Sequence, residues 1–203
     1  MMQLAIRRLH SNQRSCSNAV LKRILPKLAK SFHELIDLGL VENTECKIYA
    51  AQAAGCAPII EALHRGADVV KPVKPNTIAS SIAIGDPAED YYVLQVLCQS
   101  GGWGESVSDA EILDAIKLLA RTEGIFTEPA GGTEVAVTKK LIEQGRIPRG
   151  ESIVISITGN GYKALDAVAP SVEKPFTIDA TLDRFDALVS QFVPITRAQA
   201  AGR

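Results

Sequence analysis

The stretch Ser152-Ile-Val-Ile-Ser-Ile-Thr-Gly-Asn-Gly-Tyr-Lys-Ala-Leu165 decides the fold class. Ile153, Val154, Ile155 and Ile157 are apolar and β-branched in one short run. That is the pattern of a strand buried on both faces, as in a parallel sheet. The run stops at Thr158-Gly159-Asn160-Gly161, where two glycines permit positive φ and close approach of another group to the backbone. In open α/β sheets, ligands sit at the carboxyl ends of strands. A hydroxyl, Thr158, therefore stands where a small molecule is expected. The same residues also fit a plain tight turn from strand to helix.

Upstream, residues 124–127 read as a short strand. Glu128-Pro-Ala-Gly-Gly-Thr133 opens a glycine-rich helix that runs through Val137 and Leu141 to Gly145. Helix starts present free N–H groups and favour anions. Ser108-Asp-Ala-Glu111 is a capping box for a helix through Ile112, Ile116 and Leu119 to Gly124. Asp86-Pro87 predicts another helix start, with Tyr92, Val93, Val96 and Leu97 inward and Gly101-Gly102 at its end. Residues 77–85 are small, hydroxyl-rich and low in charge, suited to a surface loop or to a pocket wall. Candidate strands lie at residues 47–51 and 68–73. A short helix at 59–65 ends at Gly66. Ile24, Leu28, Phe32, Leu35 and Ile36 recur at helical spacing up to Gly39. Beyond Pro170, Leu182, Phe185, Leu188 and Val189 mark a last helix to dock. The order of elements predicts an α/β fold, a mostly parallel sheet flanked by helices.

The 203 residues are 46% hydrophobic and 22% charged, ordinary for a globular chain, and a net charge of -1 argues against a nucleic-acid partner. No apolar run reaches membrane-spanning length. Cys16, Cys46, Cys56 and Cys98 are scattered without a Cys-x-x-Cys, and His10, His33 and His64 are equally dispersed. No metal site is expected, and reduced cysteines fit a cytoplasmic setting. The start differs: Arg7, Arg8, Arg14, Lys22, Arg23, Lys27 and Lys30 precede the first acid, Glu34. That composition is like an organelle transit peptide, with a solvated basic tail or an abnormal gene start as alternatives.

Glu123-Gly-Ile-Phe-Thr-Glu128, Thr158-Gly-Asn-Gly161, the 77–85 loop, Gln52-Ala-Ala-Gly-Cys-Ala-Pro58 and Gly101-Gly-Trp-Gly104 together resemble threonine synthases. These are pyridoxal-phosphate (PLP) enzymes of fold type II, the tryptophan-synthase-β-like fold. The resemblance runs from about Leu25 to Val168, and more weakly to Phe192. It divides the chain into a divergent basic segment (1–24), the C-terminal portion of a catalytic domain (25–192) and a tail (193–203). It implies a lyase that converts O-phospho-L-homoserine and water to L-threonine and phosphate, in a homo-oligomer. It implies that Thr158 faces the pyridine nitrogen of PLP. A hydroxyl is a weak acid and does not force a proton onto that nitrogen, as an aspartate would. Gly159 and Gly161 would let the chain pass close to the cofactor. Glu128 and Ala130 would lie near its ring and edge, and Thr77, Ala79 and Ser80 would border the substrate. Two structural alternatives remain: Thr158 capping the next helix, and Glu128 serving only the helix dipole.

Two family features are missing. The PLP lysine of the family lies upstream in a Ser-Phe-Lys-Asp-like segment, whereas the Ser31-Phe32 pair here is followed by His33. Lys163 is not at that family position. The phosphate loop should precede Leu25, but residues 17–23 contain no glycine. No catalytic residue is assigned for this reason. The chain reads as incomplete alone, requiring a missing N-terminal half, and half a sheet leaves an unpaired edge. The alternatives are a non-catalytic remnant and a serine/threonine-dehydratase-like relative with the same fold and cofactor.

Overall fold

The computed structural model describes residues 14–17, 24–42, 46–172 and 174–192. The chain divides into two units, Met1–Ala169 and Pro170–Arg203. The first holds four parallel strands, β1 (Arg14–Ser17), β2 (Cys46–Ala53), β3 (Gly104–Val107) and β4 (Ser152–Ile155), in the order β3-β2-β1-β4. β2 is long enough to serve two neighbours. Its start pairs with β1, Cys46 opposite Arg14, and its end pairs with β3, Ala53 opposite Val107.

Alternate residues of β2 enter opposite layers, as the two-residue period of a strand requires. Ile48 and Ala50 are buried with Leu25 and Ala29 of α1 (Ile24–Asp37), Ile59 and Ile60 of α2 (Pro58–His64), and Val93, Leu94 and Leu97 of α3 (Asp90–Gln99). Tyr49, Ala51 and Ala53 are buried with Ile112 and Ile116 of α4 (Asp109–Glu123) and with Val137 and Leu141 of α5 (Pro129–Glu143). Helices thus cover both faces of β2 in a parallel α/β sheet. The β-branched run is not buried on both faces as expected: β4 lies last in the strand order, none of its residues is buried, and Val154 is 61% exposed.

Several local expectations shift. β1 lies within residues 1–24, the segment set apart as divergent. Arg-Ser-Cys-Ser carries no apolar pattern, so only its pairing with β2 and β4 reveals it. The remaining basic residues of that start, Arg7, Arg8, Lys22 and Arg23, lie outside the described residues. α1 buries Leu25 and Ala29 rather than Leu28, which is 38% exposed. α3 begins at Asp90 instead of after Asp86, and Leu94 replaces the exposed Tyr92 on its inner face. Residues 68–73 form no strand; the Val73 N–H is held by the Gly85 carbonyl at 3.0 Å. β3 arises from Gly-Glu-Ser-Val, too polar and too short to register as a strand.

α4 opens as its capping box requires. Ser108 Oγ accepts from the Glu111 N–H at 3.3 Å, and Glu111 Oε2 accepts from the Ser108 N–H at 2.7 Å. The helix ends at Gly124, with φ of 67°. α5 packs on α4 through Gly132, where an added Cβ would lie 2.6 Å from Ile116 Cγ1 and 2.9 Å from the Ile112 carbonyl oxygen. A short α6 (Leu165–Val168) follows, with Val168 buried. In the second unit, α7 (Leu182–Phe192) buries none of its residues. The Phe176 and Phe192 rings sit 5.3 Å apart, and Arg184 pairs with Asp179 at 3.9 Å.

Candidate active site

The carboxyl end of β4 runs into the turn 156–160. Asn160 Oδ1 accepts from the Tyr162 N–H at 2.9 Å and starts a 3-10 turn over Gly161–Ala164. Asn160 therefore caps this turn, and Thr158 does not. Thr158 is exposed, and its hydroxyl makes no hydrogen bond to any described residue.

The turn is pinned from one side. Thr127 and Asn160 form an isolated antiparallel bridge, all that residues 124–127 retain of an expected strand. Thr127 is fully buried, and its hydroxyl donates to the Gly159 carbonyl at 2.9 Å. The Glu128 N–H donates to the same carbonyl at 3.2 Å, and the Gly161 N–H to the Phe126 carbonyl at 3.0 Å. Neither Gly159 nor Gly161 has a positive φ. Both are glycine because their neighbours stand where a Cβ would be: the Glu128 carboxylate at Gly159, and the Phe126 ring, 2.5 Å from that position, at Gly161. The Phe126 ring also meets Tyr162 edge-on at 5.6 Å.

Glu128 is half-buried and precedes α5 without bonding its N–H groups through the side chain. The glycine-rich helix start serves packing. Gly131 lies against the Thr127 side chain and Gly132 against Ile116, while Ala130 is fully buried in the core. Lys163 is exposed and engages the turn through its N–H, which donates to the Asn160 carbonyl at 3.1 Å.

Thr77, Ala79 and Ser80 belong to a second clamp. Thr77 Oγ1 donates to Asp109 Oδ1 at 2.5 Å, and the Ile78 N–H donates to Asp109 Oδ2 at 3.1 Å. The Ala79 N–H donates back to Thr77 Oγ1 at 3.2 Å. Ala79 is buried, Ser80 is exposed, and the turn Ser80–Ile82 packs against α5. Thr127 and Asp109 had no role in the sequence reading. Asp109 sits inside a visible capping box, but its use by a loop 32 residues upstream has no local signal.

The perturbed acids lie elsewhere. Burial raises Glu105, yet the hydrogen bond and charge of Lys140 and the charge of His64 outweigh it and hold the carboxyl below its ordinary range. Burial, and then the Glu151 charge, push the Tyr49 phenol up. Among the described residues, no helix is long and apolar enough to cross a membrane, and no group of three or more His, Cys, Asp or Glu could hold a metal.

This scaffold is shared with solved PLP enzymes of fold type II. The fungal L-serine ammonia-lyase from Rhizomucor miehei matches with a TM-score of 0.60 at 18% identity, over 79% of this chain and 50% of that one. The processed form of threonine deaminase isoform 2 from Solanum lycopersicum matches with 0.57 at 21% identity, over 78% and 44%. Residues 28–159 match the family of pyridoxal-phosphate dependent enzymes, and the chain belongs to that family. Its similarity to threonine synthases is more particular. That of Methanocaldococcus jannaschii is 42% identical over 155 residues, 76% of this chain and 38% of that one. That of Methanosarcina acetivorans is 40% identical over 155 residues, with the same shares. The chain thus spans 38% of the length of these relatives.

Proposed function

We propose that this chain supplies the ring-facing wall of a threonine-synthase-type active site, which converts O-phospho-L-homoserine and water to L-threonine and phosphate. The observation that carries the proposal is Thr158: an exposed hydroxyl with no hydrogen bond to any described residue, just beyond a parallel strand, on a turn whose neighbouring peptides are pinned. The substrate assignment is supported by the similarity to threonine synthases, about twice as high in identity as that to the ammonia-lyase and the deaminase.

The residues present fit PLP on the ring side. A free hydroxyl can donate to or accept from a pyridine nitrogen. Bound PLP supplies the electron sink for charge developing on substrate carbons. In this proposal Thr158 orients the ring and, as a weak acid, leaves its nitrogen without an imposed proton. The peptide of Gly159, free of a side chain, lines the approach, and Glu128 stands beside it as the nearest carboxylate of the turn. The 77–80 loop, clamped by Asp109, borders the substrate. The lysine that holds the cofactor and the residues that bind phosphate lie outside these 203 residues, because no lysine here has the Ser-Phe-Lys-Asp-like context.

The test is reconstitution. The chain is mixed with an N-terminal threonine-synthase half that carries the lysine segment. PLP absorbance, borohydride-reducible adduct and phosphate release from O-phospho-L-homoserine are then followed. PLP uptake with phosphate release supports the proposal. PLP uptake with deamination of serine or threonine instead assigns the dehydratase-like alternative. No PLP uptake by the pair leaves a non-catalytic remnant and overturns the proposal.

A further inference from the structure

We infer that Thr127 is the positioning residue for the Thr158 hydroxyl. The inference rests on the ring-wall role proposed for Thr158 and adds a second residue to it. The Thr158 hydroxyl makes no hydrogen bond to any described residue that would fix its direction, so its direction follows from the backbone at 158–159. Gly159 is flexible by nature, and a peptide plane beside glycine swings readily unless it is tied. The tie is the Gly159 carbonyl, which accepts from Thr127 Oγ1 at 2.9 Å and from the Glu128 N–H at 3.2 Å.

The Thr127 hydroxyl differs from the other buried threonine hydroxyls. Thr133 and Thr138 bond carbonyls four residues back in their own helix, at 2.8 Å each. Those two bonds run within α5. The bond of Thr127 joins two segments 32 residues apart. Its side chain is fully buried, and the α-carbon of Gly131 packs against it, so the hydroxyl has little room to turn away. A donor held this way fixes the carbonyl one residue beyond Thr158. Small displacements of a positioned group weaken what it holds.

The test compares Thr127→Val, which keeps the shape and removes the donor, with Thr127→Ser, which keeps the donor. Thr138→Val is a control that loses a buried hydroxyl bond away from the turn. Three quantities are read: amide hydrogen exchange at Glu128 and Gly161 in the full chain, PLP affinity of the reconstituted pair, and the pH midpoint of the bound-cofactor absorbance. Thr127→Val should accelerate both amides, weaken PLP binding about fivefold to tenfold and move the pH midpoint. Thr127→Ser should stay within about twofold of wild type. Thr138→Val should lower the melting temperature and leave affinity and midpoint alone. If Thr127→Val does not fold, Thr127→Ala, which shrinks the side chain, takes its place. Wild-type affinity and midpoint in the donor-less variant overturn the inference, as does an equal loss in Thr138→Val. A wild-type pair that takes up no PLP overturns the ring-wall proposal itself, and this inference with it.

Discussion

At the β3 edge of the sheet, His64 Nε2 bonds the Gly104 carbonyl at 2.9 Å, and Lys140 Nζ bonds the Ser106 carbonyl at 2.8 Å. At the β4 edge, exposure alternates, Val154 is 61% exposed, and no side chain among the described residues bonds the peptide groups of Ile153 or Ile155. The first edge is finished by its own chain. Two side chains from different helices take alternate carbonyls that a further strand would otherwise use. Around them, Glu105 pairs with Lys140 at 3.3 Å and with His64 at 3.7 Å. Trp103 stacks on His64 at 5.1 Å, and Arg146 sits 4.1 Å from the Trp103 ring centre. Among the described residues no side chain clamps Ile153 or Ile155 in this way, and this second edge is the one whose carboxyl end leads to Thr158. Stability is invested at one edge, and the candidate site stands at the other.

The largest effect should come from breaking the finished edge. Lys140→Ala leaves Glu105, 12% exposed at its side chain, without its ammonium partner and the Ser106 carbonyl without its donor. Removing one partner of a wholly buried pair costs about 3–5 kcal/mol. Lys140 is 35% exposed, so water screens part of the loss and about 2 kcal/mol is expected from urea unfolding. A loss near zero would show that the edge is held by packing alone.

The same edge sets a pH dependence. The Glu105 carboxyl lies below its ordinary value of 4.5 in the folded chain. The stability it contributes is therefore fully present above pH 4.5 and is lost as pH falls through the lowered native value. Urea midpoints measured from pH 6 downward should fall in that acid range, and Glu105→Gln should flatten this part of the curve. Identical slopes in the two proteins would remove Glu105 from the account.

His64→Ala removes the ring nitrogen that bonds the Gly104 carbonyl from a position 38% exposed at its side chain and should cost about 1 kcal/mol. Its cost should add less than fully to that of Lys140→Ala, because both face Glu105. At the β4 edge, where the Val154 side chain is 61% exposed, Val154→Lys should change unfolding free energy by less than about 0.5 kcal/mol. It should also reduce self-association in sedimentation velocity, since lysine discourages edge-to-edge pairing. A stability loss as large as that of Lys140→Ala would mean that the Val154 side chain is held as firmly as the finished edge, and the comparison would collapse.

Elements whose cause is local were legible in the sequence. The capping box at Ser108 and Glu111 forms as its spacing requires. The glycines read as helix stops, Gly39, Gly66, Gly101, Gly124 and Gly145, all have positive φ. Thr158 stands at a strand end because the β-branched run before it and the glycines after it leave little choice. The misplaced elements are those where local pattern competes with packing. Leu28 fits the helical stripe as well as Leu25 does, and only the neighbours of α1 decide which is buried. The glycines at 159 and 161 suggested special backbone angles or room for a ligand, whereas Glu128 and Phe126 of the same chain stand where their side chains would be.

By itself, the sequence determined the class of scaffold, the periodic helices and their glycine ends, and the position of a hydroxyl just beyond a parallel strand. Each of these follows from periodicity or backbone preference within a few residues. The tertiary structure alone decided that Arg14–Ser17 pairs between β2 and β4, that Asp109 holds Thr77, and that Thr127 ties Gly159. It also decided that one sheet edge is closed by His64 and Lys140 while the other leaves the Val154 side chain exposed. The physical reason is distance along the chain. These contacts join residues about 30–40 positions apart, or more, and such pairs are selected by how layers pack and which polar groups must be satisfied, for which a local pattern carries no code.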